Sequence, residues 1–331
     1  MRSNESGDIG AHKHAAKIAP FRLLCTLGLG GQIIMPALLR TLAEIVPYDA
    51  AAFCWTDGHG RITNLWEEFP GAWPTQQAAL VPTDGVLDWT TRAPGCERHA
   101  RRLHLPVGKG ALPVGMLVLA RDGAKHPFSA REQYLFFSLT DYLHKGILAQ
   151  RNQREPYVDS GEMGLVVLDE GGTVRMACPT GRRLFTQAAC PYLAPTNDAA
   201  TQSSIEDLGV RLNQAFSDSA QHTLRHQNDW GLFEFRPRHL AYNNGSPGGL
   251  GVCISRHEPQ ALRLMRGMRN QGLSSRQMEA VLLLAFGYSH RAMAQRMGVS
   301  YHTVVDHVRQ VFRKLGVKDT HQLLARVMGK A

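Results

Sequence analysis

A helical spacing of apolar residues marks one segment near the C-terminus. Val304, Val308, Val311 and Leu315 fall within about 40° of one another when successive residues are placed about 100° apart. The opposite side of the segment is mainly polar, and Ser300 precedes it as a residue that can cap a helix. The pattern predicts an amphipathic helix that begins after Ser300, runs to about Leu315 and buries a narrow apolar stripe.

Two shorter helices are predicted directly before this one. Ser274 and Gln277 form a capping box, and Gly287 ends the helix that follows it. Ser289 can cap the next helix, and Gly298 supplies the turn before Ser300. Two short helices joined by a tight, glycine-containing turn form a helix-turn-helix. Their predicted apolar faces contain Val281, Leu282, Leu284, Ala285 and Phe286 in the first helix, and Ala292, Met293 and Met297 in the second.

The net charge of the chain is concentrated on the same region. The whole sequence of 331 residues has 37 basic and 28 acidic side chains, for a net charge of +9. Residues 261–331 contain 12 of these basic side chains and 3 of the acidic ones, so the preceding 260 residues are electrically balanced. This asymmetry indicates a polyanionic partner for the C-terminal segment and a different role for the rest.

The segment LSSRQMEAVLLLAFGYSHRAMAQRMGVSYHTVVDHVRQVFRKLGVKDTHQLLARV closely resembles the LuxR-type helix-turn-helix domain of bacterial transcription factors. The resemblance implies an all-α domain of four helices over residues 272–331. Its fourth helix, at Thr320 to Met328, often takes part in pairing two copies. Three positions depart from the family: Ser275 replaces the usual proline, Gln277 the usual glutamate, and Val305 a common lysine.

The long amphipathic helix supplies the candidate DNA contacts. Arginine can bind a guanine edge through two hydrogen bonds, aspartate can accept from cytosine, and valine can contact a thymine methyl group. The resemblance places Val305, Asp306 and Arg309 against bases. Free N–H groups at helix starts suit phosphates, and Arg313, Lys314 and Lys318 would also lie near phosphates. His307 is expected to pack or bond the backbone first. The full candidate set is Ser289, Ser300, His302, Thr303, Val305, Asp306, Arg309, Gln310, Arg313 and Lys314.

The N-terminal half is predicted to form two α+β units. Residues 1–19 are polar and expected to be flexible. In residues 20–151, a helix at 31–46, a hairpin, a loop-rich stretch with three prolines, two paired strands and a helix capped by Ser129 and Glu132 resemble a GAF-type sensory domain. Trp55, Trp66, Trp73 and Trp89 could line a pocket or simply pack into the core.

Residues 161–257 are similar to a small, degenerate PAS domain. A strand at Met163 to Asp169, a Glu-Gly-Gly turn and a partner strand lead into a short helix, as at the opening of a PAS domain. Residues 152–160 are expected to be a polar linker, 192–204 a loop, and 258–271 a connecting helix. Later strands are predicted at Leu232 to Pro237 and Leu250 to Ser255.

Several function classes lack support in the sequence. No catalytic motif, metal-ligand spacing or cofactor fingerprint is present, and the six cysteines are scattered as expected of reduced thiols. No apolar run reaches the roughly 18–20 residues of a membrane span, and the N-terminus lacks the apolar region of a secretory signal. We therefore expect a cytoplasmic protein that is neither an enzyme nor membrane-bound.

Together these patterns predict a transcriptional regulator that binds double-stranded DNA as a homodimer. An α+β region, GAF-like and then PAS-like, would sense a signal or set dimer geometry, and the helix-turn-helix domain would read DNA. Contacts with RNA polymerase and with an unidentified small molecule stay open. The alternative is a small-molecule-binding or scaffold protein whose basic tail binds DNA without sequence preference.

Overall fold

The structure is a computed structural model that describes residues 18–57, 59–68, 101–108, 113–122, 125–149, 155–192, 198–217, 222–241 and 247–329. The expected loop with Pro70, Pro74 and Pro82, as well as Trp73 and Trp89, lies outside the described residues. Helix α1 covers residues 18–25, so Ile18 and Ala19 belong to a helix and are buried, whereas the sequence placed them in a flexible terminus. Their apolar side chains explain the difference. Among the described residues, no helix is long and apolar enough to cross a lipid bilayer.

The first unit packs helices against a four-stranded antiparallel sheet. Helix α2 (Gly31–Ile45) precedes strands β1 (Ala50–Thr56), β2 (Ile62–Glu68), β3 (Arg102–Val107) and β4 (Gly115–Ala120), which lie in the order β2-β1-β4-β3. Helix α3 (Ala130–Leu148) follows, and the predicted capping box forms: the Glu132 carboxylate accepts from Ser129 N at 2.8 Å. Leu135, Leu139 and Leu143 recur at four-residue spacing along α3 and form a buried apolar stripe on one side of it.

The second unit is built on a five-stranded antiparallel sheet. Strands β5 (Tyr157–Leu168) and β6 (Val174–Ala177) form the predicted hairpin, followed by helices α4 (Pro179–Ala189) and α5 (Asp198–Ser217). Strands β7 (Leu224–Asn228), β8 (Gly231–Ala241) and β9 (Pro247–Pro259) complete the sheet in the order β6-β5-β9-β8-β7. Its core is rich in aromatic side chains, with Phe185, Phe216, Trp230, Phe233 and Phe235 all buried.

Three expectations for this unit were wrong. Residues 157–160 are not linker, because Tyr157 pairs with Pro259 and Val158 with Glu258 in the sheet. The same pairing places Glu258 and Pro259 in β9 and not in the connecting helix. Backbone pairing does not require apolar side chains, which is why the polar sequence concealed this extension. Most of the expected loop at 192–204 is the start of α5, whose buried residues Leu208, Leu212 and Phe216 come later at four-residue spacing.

Five helices complete the chain. The connecting helix α6 (Gln260–Gly267) is followed by α7 (Ser275–Ala285), α8 (His290–Met297), α9 (Tyr301–Leu315) and α10 (Thr320–Met328). Helix α10 packs against α6 as well as against α7 and α9. A Cβ atom added at Gly267 would lie only 1.6 Å from the carbonyl oxygen of Val327. Arg263 Nη2 donates to the Met328 carbonyl at 2.7 Å, so α6 also bonds the end of α10.

The close contact at Gly267 predicts that an alanine substitution lowers the stability of the protein, which is the opposite of its usual effect in a helix. Glycine to alanine inside a helix normally stabilises it by about 1 kcal/mol. Here Gly267→Ala should instead lower the free energy of unfolding by about 1–3 kcal/mol, since backbone must move to admit the methyl group. Urea denaturation of the full chain measures this. Gly171→Ala is the control, because the nearest atom to its Cβ would be 3.4 Å away. A stabilised Gly267→Ala variant would contradict the packing described.

Candidate nucleic-acid interface

Side-chain caps fix the start of each helix in residues 274–328. Ser274 Oγ accepts from Gln277 N, and the Gln277 side chain accepts from Ser274 N at 2.9 Å, which completes the predicted capping box. Ser289 and Ser300 cap α8 and α9 through Ala292 N and Thr303 N, at 3.3 Å and 3.1 Å. Gly298 ends α8 in the left-handed conformation, with φ of 65°. The caps hold α8 and α9 in a helix-turn-helix.

The hydrophobic core below these helices sets the orientation of α9. The stripe of Val304, Val308, Val311 and Leu315 is buried, as its angular spacing predicts. On α8 the buried residues are Met293, Ala294 and Met297, so Ala294 takes the inward place expected for Ala292. Because one side of α9 is anchored, its opposite side must face solvent.

The exposed side of α9 brings most of the candidate DNA contacts together. His302, Asp306, Arg309, Gln310 and Arg313 are exposed, and Thr303 and Val305 are partly exposed. Arg309 Nη1 lies 3.2 Å from Asp306 Oδ1, with 76% and 60% of the two side chains exposed. An exposed pair of this kind contributes little to stability, so the guanidinium can exchange its partner at small cost.

Two candidate residues on α9 have hydrogen-bond partners outside their own helix. Gln310 Oε1 accepts from Gln277 Nε2 at 2.8 Å. Lys314 Nζ donates to the carbonyl of Gly272 at 2.6 Å and to Gln277 Oε1 at 2.9 Å. The Gln277 capping side chain therefore joins the start of α7 to the last turns of α9. Helical periodicity could not show this, since it places residues around one helix and not against another.

The exposed start of α9 carries a group of rings that sequence analysis did not single out. The Tyr301 ring lies 6.2 Å from that of His290 on α8 and 5.8 Å from that of His302, both nearly edge to face. Tyr301 is 46% exposed. The signal available in the sequence was the position of Tyr301 between two candidate DNA contacts, Ser300 and His302. These rings lie beside Ser289 and Ser300, where the capped helix starts reach the surface together.

Among the residues that the structure describes, His307 Nδ1 makes no bond to the backbone, although backbone bonding was one of the roles expected for this residue. The residue is half-buried, and its Nδ1 is buried without a hydrogen-bond partner in the part of the chain that the structure describes. Within the same residues, no group of three or more His, Cys, Asp or Glu side chains could hold a metal ion.

Comparisons with known proteins bear on this part of the chain. A family model described as bacterial regulatory proteins, luxR family, matches residues 271–327. No curated protein matches the sequence. Three solved structures show weak similarity. A phage VqmA–DPO complex is 16% identical, with a TM-score of 0.21, and the match covers 52% of this chain and 85% of that one.

The second of these is a Vibrio cholera VqmA–ligand–DNA complex, also 16% identical, with a TM-score of 0.26 and coverage of 52% and 84%. The third is the sensor region of a sensor histidine kinase, 16% identical, with a TM-score of 0.20 and coverage of 63% and 84%. The matched segment contains helices α7, α8 and α9 and all but the last residue of α10. Residues 271–327 form a helix-turn-helix domain of the luxR family of bacterial regulatory proteins.

Proposed function

We propose that this protein is a transcriptional regulator that binds double-stranded DNA in a sequence-specific way. The observation that carries the proposal is the exposed polar side of α9, anchored from behind by a buried valine and leucine stripe in a luxR-family domain. An α-helix of this kind fits the major groove, where base edges present distinct donors and acceptors. The concentration of basic residues in 261–331 favours a polyanion at this surface.

The proposed DNA contacts divide into two groups. His302, Val305, Asp306 and Arg309 would face base edges, with Gln310 and Arg313 beside them. Ser289, Ser300, Thr303 and Lys314 would face phosphates, since the two serines stand at helix starts with N–H groups directed outward. Lys314 also donates to the carbonyl of Gly272, so its first role would be to hold the segment before α7 against the end of α9.

The first α+β unit is proposed to be GAF-like and the second, which the paired strands extend to residues 157–259, PAS-like, with α6 as the connecting helix. Support comes from the order of helices and strands in the first unit, and from the β5–β6 hairpin that leads into the short helix α4 in the second. These units would set the spacing of two copies, so that two α9 helices meet half-sites about one duplex turn apart. Such a dimer would act in the cytoplasm, with RNA polymerase as a further partner.

Arg309→Ala in the full chain tests the proposed base contact. We expect it to weaken binding to the preferred site by about 1–3 kcal/mol and to relax the base preference at one position in each half-site. The measurement is selection of bound duplexes from a random library, followed by fluorescence anisotropy on the selected site. Arg326→Ala, which removes an exposed arginine from α10, is the matched control and should leave the selected sequence unchanged.

The alternative function gives a different result in the same experiment. A scaffold protein with a nonspecific basic tail would select no sequence, and its affinity for every duplex would fall with the same salt dependence. A selected sequence that survives Arg309→Ala unchanged would instead show that another side of the domain reads the bases.

A further inference from the structure

Helix α3 carries apolar side chains on the side that faces solvent, opposite its buried stripe. Tyr134, Phe137 and Leu148 are 77%, 51% and 57% exposed, respectively. With successive residues about 100° apart, the three lie within about 60° of one another around the helix. Asp141 and Lys145 are also exposed and lie along the same side. We call these five residues the outer stripe of α3.

The outer stripe of α3 requires an extended partner. Single apolar side chains at a surface are ordinary, whereas a row of large ones rimmed by polar residues marks a site of protein association. Phe137 and Leu148 are about three helical turns, or roughly 16 Å, apart along the helix axis. A partner that covers both must therefore run along α3, which excludes a small molecule or a single inserted side chain. A second helix of similar length meets this requirement.

The two charged residues make the outer stripe complementary to a second copy of itself. Asp141 and Lys145 are exposed, and neither has an ion-pair partner among the described residues. In an antiparallel pairing of two α3 helices, Asp141 can lie opposite Lys145 of the partner subunit, and a two-fold axis repeats that pair. The same register brings Phe137 beside Leu148 of the partner subunit. Two ion pairs and two apolar contacts would therefore form together.

From this arrangement we propose that two copies of this chain pair through the outer stripe of α3, with the two helices antiparallel. A parallel pairing in register would set Asp141 against Asp141 and Lys145 against Lys145, and like charges placed directly opposite each other are unfavourable. Because each stripe supplies both signs at the spacing that the other needs, a second copy is favoured over an unrelated protein.

The pairing surface is separate from the proposed DNA contacts. Helix α3 belongs to the first α+β unit, whereas the exposed side of α9 belongs to the helix-turn-helix domain. Only the consequence for DNA rests on the proposed function: pairing of two copies and binding to two half-sites would strengthen each other by the same factor. Pairing itself can be measured on the full chain without DNA.

Phe137→Glu tests the surface by sedimentation equilibrium of the full chain. The unmodified chain should form a reversible dimer. Phe137→Glu should raise the dissociation constant of that dimer by about tenfold or more, because its carboxylate would be buried against Leu148 of the partner subunit. Met176→Glu is the matched control, since Met176 is 65% exposed on β6 of the second unit, and it should leave the dissociation constant unchanged. Circular dichroism and the unfolding midpoint confirm that both variants are folded.

Reversal of one charge at a time distinguishes contact between copies from contact within one helix. The Asp141→Lys variant has two positive groups on the stripe and the Lys145→Asp variant has two negative groups. Each variant alone should dissociate about tenfold more readily than the unmodified chain. An equimolar mixture of the two should recover the original affinity as a heterodimer. Mixing cannot restore an attraction within one helix, so the recovery reports the contact between subunits.

The variant with both charges reversed tests the orientation of the helices. Antiparallel pairing predicts that the chain with Asp141→Lys and Lys145→Asp pairs with itself and not with the unmodified chain. Preferential pairing with the unmodified chain would show parallel helices and overturn the proposed register.

Three results would overturn the outer stripe of α3 as the pairing surface. They are an unmodified chain that stays monomeric, a dimer that Phe137→Glu does not weaken, and single-charge variants that do not recover when mixed. DNA binding is measured separately. A chain that pairs as expected but selects no DNA sequence would refute the proposed function and not the pairing surface.

Discussion

Replacing Trp230 with alanine should lower the free energy of unfolding by about 3–5 kcal/mol, as for other large aromatic side chains removed from a core. Trp230 is fully buried, and its Nε1 donates to the Cys190 carbonyl at 3.1 Å. Trp230 belongs to the second α+β unit, and its ring contacts two tryptophan rings of the first. The ring centroid lies 6.2 Å from that of Trp55 on β1 and 5.2 Å from that of Trp66 on β2.

The position of Trp230 predicts a second effect of Trp230→Ala. Loss of the shared aromatic contact should let the first unit unfold separately, so calorimetry should show two transitions in place of one. Trp230→Phe is the control, since it keeps a six-membered aromatic ring and loses the smaller ring of the indole with its N–H group. It should cost about 1–2 kcal/mol and preserve the single transition. A single transition in the alanine variant would show that the units are joined elsewhere.

Replacing Arg266 with methionine should destabilise the protein by about 3 kcal/mol at pH 8. Stability is lost because the Glu258 carboxylate stays buried after its ion-pair partner is removed. The Glu258 side chain is only 8% exposed, and Arg266 is its ion-pair partner. Burial raises the pKa of Glu258 above its ordinary value, and the charges of Arg266 and Arg256 offset this only in part, with Glu162 acting in the opposite direction and Arg263 adding a weaker attraction.

The same variant has a predictable pH dependence. Without Arg266, the pKa of Glu258 should rise further, because the positive charge that lowers it most is gone. Between the ordinary carboxyl value of 4.5 and that raised value, the folded protein holds a proton that the unfolded chain has released. Stability therefore increases as the pH falls through this window, and the deficit of Arg266→Met relative to the unmodified protein should shrink towards pH 5.

A second substitution separates this explanation from simple loss of packing. Adding Glu258→Gln to Arg266→Met removes the buried charge, and should recover much of the lost stability and flatten its pH dependence. Urea denaturation at a series of pH values measures both effects. If the double variant keeps the same deficit and the same slope, Glu258 is not the group responsible.

The helix-turn-helix domain could be predicted from the sequence almost to the residue. Its signals are local: Ser274, Ser289 and Ser300 cap their helices through the N–H group three residues later, and Gly298 ends α8 in a left-handed turn. The buried stripe of α9 follows from the helical repeat alone. Where a structure depends on neighbours in sequence, a pattern along the chain is sufficient to predict it.

Features that join distant parts of the chain could not be predicted in this way. Residues 157–159 pair with a strand about one hundred residues later, and no side-chain pattern marks them as a strand. Lys314 looks like a surface cation on a helical wheel, yet it bonds Gly272 across the domain. Trp230 was not among the tryptophans considered for a pocket, although its ring contacts those of both Trp55 and Trp66.

The packing of α10 on α6 has a consequence for how this helix-turn-helix domain could be exchanged between proteins. Val327 rests against the bare backbone of Gly267, and Arg263 bonds the last carbonyl of α10. A recombination event that joined residues 271–327 to an unrelated N-terminal region would leave this surface without its support. The segment that must be transferred as a unit is therefore longer than residues 271–327. A crossover that preserves function is expected before residue 260, so that α6 is transferred together with the helices against which it packs.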